Sequence, residues 1–215
     1  MQLTYNPAVF TVNTMAEAMG IILTPEGSTT ADRWETETPY LADLVAKHSP
    51  VPIGADSLVL DYGCGIGRMA HELIKRHGCR VIGVDISPSM RAMSVAYTRS
   101  DRFMSCSLEM FDELIARGVT FDAAISVWVL QHCAAPTHDI ARSRKALRPG
   151  GGFFVTNNKA RCVPTAEKGW IDDGLDIKAM LATAFEFLQE GQLARAKTTK
   201  ILADAAFWAA YRRTG

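Results

Sequence analysis

An apolar run ends in an acid at Asp61, and three glycines follow at alternate positions, Gly63, Gly65 and Gly67. A second acid, Asp85, stands about twenty residues beyond that loop, and a histidine, His132, follows the most apolar run of the chain. Glycine has no Cβ, so closely spaced glycines let backbone wrap around a ligand at positive φ. An acid at this distance from such a loop can accept hydrogen bonds from both hydroxyls of a ribose, so the two features together point to a nucleoside. A plain turn acid ahead of Ser87-Pro88 is the other reading of Asp85. Phosphate patterns do not fit: the G-x-G-x-x-G frame puts Arg68 where its third glycine belongs, and no Gly-Lys-Ser/Thr follows the glycines.

The elements that must position these side chains alternate between short strand-like runs and helical ones. Residues 58–61 read as a strand, followed by a helix with Met69, Ala70, Leu73 and Ile74 on one face and Gly78 as its stop. Residues 80–84 form the second strand, after which Ser87 and Pro88 supply an N-cap and a first helical residue. Residues 102–106 and 121–129 are further strands separated by a helix over 109–117, and a helix over 137–147 precedes a hard turn, Arg148-Pro149-Gly150-Gly151-Gly152, and a fifth strand over 153–157. Strands with near-continuous apolar character, separated by helices, imply a parallel sheet with right-handed crossovers. The tail breaks the rhythm: a polar loop over 157–174, a helix over 176–183, and two strand-like runs, 184–193 and 205–212, that suit an edge hairpin. Ahead of the first strand, residues 13–20 read as a short helix closed by Gly20, and Thr38 caps a helix that starts at Pro39 and ends near His48. The expected fold is α/β: a Rossmann-like doubly wound sheet, mostly parallel, with an antiparallel C-terminal edge hairpin and an N-terminal helical cap. Residues 1–54 form the cap or lid, and residues 55–215 the domain.

Composition narrows the class. Lys+Arg and Asp+Glu balance at 23 each and are scattered, so no broad basic face for a nucleic-acid backbone is advertised. The longest apolar run, residues 123–130, is too short to span a bilayer, and the first ten residues lack the basic and apolar regions of a secretory signal. Five cysteines, an odd number without a C-x-x-C pair, argue against a disulfide framework and against a structural metal site, and suit a cytoplasmic protein. Cys133 stands out through its neighbours.

Val59-Leu60-Asp61-Tyr62-Gly63-Cys64-Gly65-Ile66-Gly67 resembles the first motif of the class I S-adenosylmethionine-dependent methyltransferases, and Val81-Ile82-Gly83-Val84-Asp85-Ile86-Ser87-Pro88 resembles their acidic second motif. Phe121-Asp122-Ala123-Ala124-Ile125-Ser126-Val127-Trp128-Val129-Leu130-Gln131-His132 resembles their fourth strand and its exit, and Leu147-Arg148-Pro149-Gly150-Gly151-Gly152 the turn into the fifth. The resemblance covers residues 58–157 and leaves both ends of the chain aside. It implies S-adenosyl-L-methionine as cofactor, with S-adenosyl-L-homocysteine as product. Gly63, Gly65 and Gly67 would meet the methionyl end, Asp61 would orient its ammonium, Asp85 would take the ribose, and Ile86 would lie on the adenine face. Ser107 and the backbone of Leu108 would meet the adenine edge, although the family commonly has an acid where Ser107 stands. Tyr62 and Val127 belong to the same expected set.

Methyl transfer from a sulfonium is an in-line displacement, so positioning carries most of the chemistry, and a base contributes when the nucleophile must lose a proton. His132 is the candidate base, with loop packing as its other reading. Trp128 can wall the pocket or pack the core. Arg33, with Trp34 beside it, can pair with the methionyl carboxylate or remain a solvated helical arginine. The motif of amino-methylating DNA enzymes is missing at the end of the fourth strand, so the expected acceptor is a small molecule with an O, N or C nucleophile, with no DNA and no membrane as partner. The chain is expected as a monomer or homodimer. A silent cofactor-binding module and a nucleotide-dependent oxidoreductase are the rival classes.

Overall fold

Runs without a polar face have nothing to offer solvent. In a computed structural model, which describes residues 3–215, they become the inner strands of one seven-stranded sheet. A 3-10 turn, η1 (Pro7–Phe10), and two helices, α1 (Met15–Ile22) and α2 (Thr30–His48), precede the sheet. The alternating part runs β1 (Leu58–Tyr62), α3 (Arg68–His77), β2 (Arg80–Val84), α4 (Pro88–Thr98), β3 (Phe103–Cys106), α5 (Leu108–Ala116) and β4 (Phe121–Val127). A second 3-10 turn, η2 (Leu130–His132), then leads to α6 (Pro136–Ala146) and β5 (Leu147–Asn158). The tail adds β6 (Val163–Thr165), β7 (Gly169–Ile171), α7 (Ile177–Ala184), β8 (Glu186–Gly191), α8 (Lys200–Ala205) and β9 (Ala206–Arg212).

The sheet order is β3-β2-β1-β4-β5-β9-β8, parallel through β5 and antiparallel where β9 pairs with β5 and β8. This is the expected doubly wound sheet with its antiparallel edge hairpin. Alternate residues feed two cores, as the period of a strand requires. Phe153 joins Phe111, Phe121, Leu130 and Leu181 under α5, α6 and α7. Phe154 joins Leu41, Val45, Leu73 and Trp208 under α2 and α3. A smaller cluster of Val12, Ala18, Ile66 and Met90 seats the N-terminal segment. Among the described residues no helix is long and apolar enough to cross a membrane.

Four local expectations change. The helix ahead of the sheet begins at Thr30, where the Thr29 side chain accepts from the Asp32 N–H, so Pro39 sits inside it. Packing of Leu41, Ala42 and Val45 outweighs the single backbone bond that proline removes. The first helix runs through Gly20 to Ile22, because Ile22 is held down on the glycine loop. The turn at Gly150 to Gly152 is a bulge within β5, where the register against β4 slips between Phe121 and Ala123. The polar loop after β5 contains its own hairpin, β6 with β7, and a short helix, α8, precedes β9.

Restoring the N–H at Pro39 should therefore stabilise α2. Pro39→Ala is expected to gain about 2 kcal/mol, net of the extra freedom of the unfolded chain, and to raise Tm by about 5 °C, measured by thermal denaturation.

Candidate functional site

The β1–β2 crossover through α3 and the β3–β4 crossover through α5 lie on opposite sides of the sheet, which leaves a crevice beyond the carboxyl ends of the adjacent β1 and β4. There the structure has a cavity of about 600 Å³. The glycine loop and the exits of β2 and β4 form one wall, and the N-terminal segment and the β6–β7 hairpin close the other.

Backbone donors of the glycine loop are already taken. Gly63 N–H and Cys64 N–H both donate to the Val84 carbonyl, at 2.7 and 3.0 Å, and Gly65 N–H donates to Asp85 Oδ2 at 2.8 Å. A phosphate cradle needs such groups free, so the loop is shaped for close approach and not for an anion. Gly63 has φ 79°, and a Cβ there would lie 2.3 Å from Val129 Cγ2; at Gly65, with φ 53°, a Cβ would lie 2.7 Å from Ile22 Cδ1. Asp85 Oδ1 accepts from Ser87 N–H at 2.8 Å. Each Asp85 oxygen thus keeps one lone pair, enough for two hydroxyls.

Asp61 is buried on the cavity wall, and its Oδ2 has no partner among the described residues. Burial pushes its carboxyl up to about 7, against the opposing pull of the Arg68 charge. An orphaned buried carboxylate oxygen facing a cavity calls for a cation. The ammonium of S-adenosylmethionine supplies one, so the residues present fit that cofactor. Ile86, Leu108 and Val127 line the same cavity. Tyr62 also lines it, but its hydroxyl donates to Asp139 Oδ1 at 2.5 Å, and burial beside that carboxylate raises the phenol's pKa. Gly67 stays outside the cavity as the left-handed cap of α3. Ser107 does too: its Oγ caps α5 by accepting from Met110 N–H at 3.3 Å.

Arg33 reaches the cavity through a buried ion pair. Its Nε and Nη2 donate to Glu37, the latter at 2.8 Å, and Nη1 donates to the Thr24 carbonyl. Glu37, fully buried, also accepts from Trp128 Nε1 at 2.9 Å and from Thr198 Oγ1 at 3.0 Å. Trp128, on the cavity wall just beyond β4, holds a left-handed backbone with φ 63°, a strain worth about 1–3 kcal/mol that its surroundings must offset. Trp34 is turned away: its Nε1 donates to Tyr97 Oη at 3.0 Å, and Arg68 lies over its ring.

The opposite wall is aromatic. His132 lies 5.3 Å from Trp170 on the hairpin and 6.0 Å from Phe10, ring centroid to centroid. His132 Nδ1 is 2.6 Å from the Cys162 carbonyl, which accepts only from N–H, so the proton sits on Nδ1 and Nε2 is the acceptor. Gln131 Nε2 donates to that nitrogen at 3.2 Å. Burial lowers the imidazole's pKa, so it is neutral at pH 7. Tyr5 lines the cavity, its phenol pushed up to about 12 by burial. Cys133 lines it as well, with a thiol held protonated chiefly by burial. Phe10 and Trp170 had no motif to mark them, and the one signal was a tryptophan in an otherwise polar loop.

The family model described as a methyltransferase domain matches residues 60–155. A ubiquinone biosynthesis O-methyltransferase from Methylobacterium sp. (strain 4-46) is 28% identical over 195 residues, covering 81% of this chain and 78% of the relative. The enzyme of the same name from Rhizobium etli (strain CIAT 652) is 33% identical over 100 residues, covering 45% of this chain but only 39% of the relative. A geranyl diphosphate methyltransferase solved with S-adenosylmethionine shares the fold, with a TM-score of 0.63 and 17% identity over 82% of this chain and 85% of that one. Residues 60–155 thus match a methyltransferase domain, on a sheet that shares its fold with the solved methyltransferase. The matched domain and the relatives named as O-methyltransferases support a methyltransferase that uses S-adenosylmethionine.

Removing one partner of a buried ion pair leaves the other uncompensated. Glu37→Gln is expected to destabilise the protein by about 3–5 kcal/mol, and urea unfolding of the variant measures it.

Proposed function

We propose that this enzyme methylates a hydroxyl oxygen on a small aromatic molecule, with His132 taking the proton. The observation that carries the reading is the imidazole on the cavity wall beside Phe10 and Trp170, its Nδ1–H fixed on the Cys162 carbonyl and its Nε2 left as an acceptor that meets only the long Gln131 contact. The relatives that are O-methyltransferases by name point the same way. When bound, the cofactor supplies an activated methyl group. Asp61 holds its ammonium, Arg33 offers Nη1 to its carboxylate, Asp85 takes the ribose hydroxyls, and Ile86, Leu108 and Val127 pack on its apolar faces. The acceptor hydroxyl displaces the long Gln131 contact, and Nε2 receives its proton as the oxygen attacks. Residues 1–54 act as a lid, with Ile22 over the glycine loop and Phe10 beside His132. A small-molecule acceptor, with no DNA and a cytoplasmic setting, completes the reading.

Release of S-adenosylhomocysteine over a panel of phenols, catechols, aliphatic alcohols and amines tests it. Turnover confined to amines would overturn the oxygen assignment. On an accepted phenol, His132→Gln should lower kcat by about 10²-fold or more. Because the imidazole titrates below its ordinary value of 6.5, activity should persist below pH 6.5 and fall as the pH drops through the lowered pKa.

Asp61 gives a second test. Its pKa in the folded protein lies above the model-peptide value of 3.8, so the stability contributed by the neutral acid is full below about 3.8 and is lost as pH rises through about 7. An ammonium bound beside it favours the carboxylate and expels the proton. Calorimetry with S-adenosylhomocysteine in buffers of different ionisation enthalpy should show release of about one proton near pH 6 and almost none above pH 8. Asp61→Asn should abolish that release.

A further inference from the structure

We propose that Arg161, outside both the matched family core and the cavity lining, is the positioning residue of the acceptor half of the site, locking the turn that carries His132 to the hairpin that carries Trp170. The proposal rests on the reading of His132 as the base. The Arg161 side chain is fully buried, and a buried cation is costly unless its donors are matched. Here they are. Nη1 donates to the Leu130 carbonyl and Nη2 to the Cys133 carbonyl, each at 2.7 Å. Those two carbonyls flank η2, a turn of three residues with little internal hydrogen bonding of its own. The other edge of the guanidinium meets Asp173, with Nε at 3.0 Å from Oδ1 and Nη2 at 2.9 Å from Oδ2, and Arg161 N–H donates to Asp172 Oδ1 at 3.3 Å. Asp172 and Asp173 follow directly on β7, the strand of Trp170.

The neighbouring residue completes the clamp. Cys162 N–H donates to the Gln131 carbonyl at 2.9 Å, and the Cys162 carbonyl takes the His132 Nδ1–H. One rigid fork therefore sets both the tautomer of the base and the gap between the imidazole and the indole. Lysine, a point charge on a flexible stem, cannot serve two carbonyls and a carboxylate in one plane. The ionisable groups near the imidazole are Arg161 and Cys162 on the connecting loop, Cys133 on its own turn and Tyr5 on the N-terminal segment. Phe10 and Trp170 supply its uncharged neighbours. Of the ionisable four, Arg161 carries the charge, and it acts in the same direction as burial on the imidazole.

Imidazole ¹H–¹⁵N NMR spectra of the full chain test this without an acceptor, the His132 signal being assigned by its loss in His132→Gln. The wild type should show the Nδ1–H tautomer alone and titrate below 6.5. In Arg161→Met and Arg161→Lys the signal should show mixed tautomers, and in Arg161→Met its titration should also move up toward the ordinary value. S-adenosylhomocysteine affinity should stay near that of the wild type, and kcat on an accepted phenol should fall about 10²-fold. A lower Tm with the His132 tautomer and titration unchanged would overturn the proposal and reduce Arg161 to a structural residue. If Arg161→Met does not fold, Asp173→Asn frees the hairpin side of the clamp. It should lower kcat with cofactor affinity preserved, and an unchanged kcat would overturn the proposal. Should no phenol turn over while the Arg161 variants still shift the His132 signal, the proposed acceptor class fails and the clamp stands.

Discussion

One buried carboxylate, that of Glu37, joins three stretches of chain that the sheet would otherwise leave independent. Through it helix α2 is tied to the exit of β4, by way of Trp128, and to the segment ahead of α8, by way of Thr198. The Arg33 charge makes this possible, since an unpaired carboxylate at that depth would take up a proton instead. The strained backbone of Trp128 follows from the same bond. An indole anchored at its far end lets the chain turn sharply between the sheet and η2, and so delivers His132 to the cavity.

The cavity holds its ionisable groups in forms that avoid unpaired charge. Burial raises the carboxyl of Asp61 to about 7, lowers the imidazole of His132, and keeps the thiol of Cys133 protonated. Two lining oxygens lack a partner among the described residues, Asp61 Oδ2 at the glycine end and Asn158 Oδ1 at the end of β5; only the first belongs to a carboxylate, so a cationic ligand is drawn to the glycine end.

Much of the wall formed by the glycine loop and the exit of β2 was legible in the sequence because it is local. Asp61 and Gly63, or Asp85 and Ser87, are neighbours along the chain, and turn chemistry constrains them within a few residues. The mostly parallel, doubly wound sheet followed from apolar runs and right-handed crossovers for the same reason. Helix α2 was misread at its start because Thr38-Pro39 is a sound local signal for a helix N-terminus, overridden by burial of the turns on both sides. Trp34 and Ser107 were expected at the cofactor from a family pattern, yet each finds a nearer partner, Tyr97 and the α5 backbone. The aromatic wall was illegible for a different reason: Phe10, His132 and Trp170 are far apart in sequence, and nothing short of the folded chain brings them together.

The β6–β7 hairpin leaves the main sheet after β5 and returns to it only through α7 and β8. It bears Trp170, while the glycine loop sits on the opposite wall, from another part of the chain. On the proposed function, the two halves of the reaction are consequently separable under selection. Drift in the hairpin, in sequence or in length, can retune which molecules are accepted without disturbing how the methyl source is held. A lineage built on this plan can diversify its chemistry by changing one small appendage.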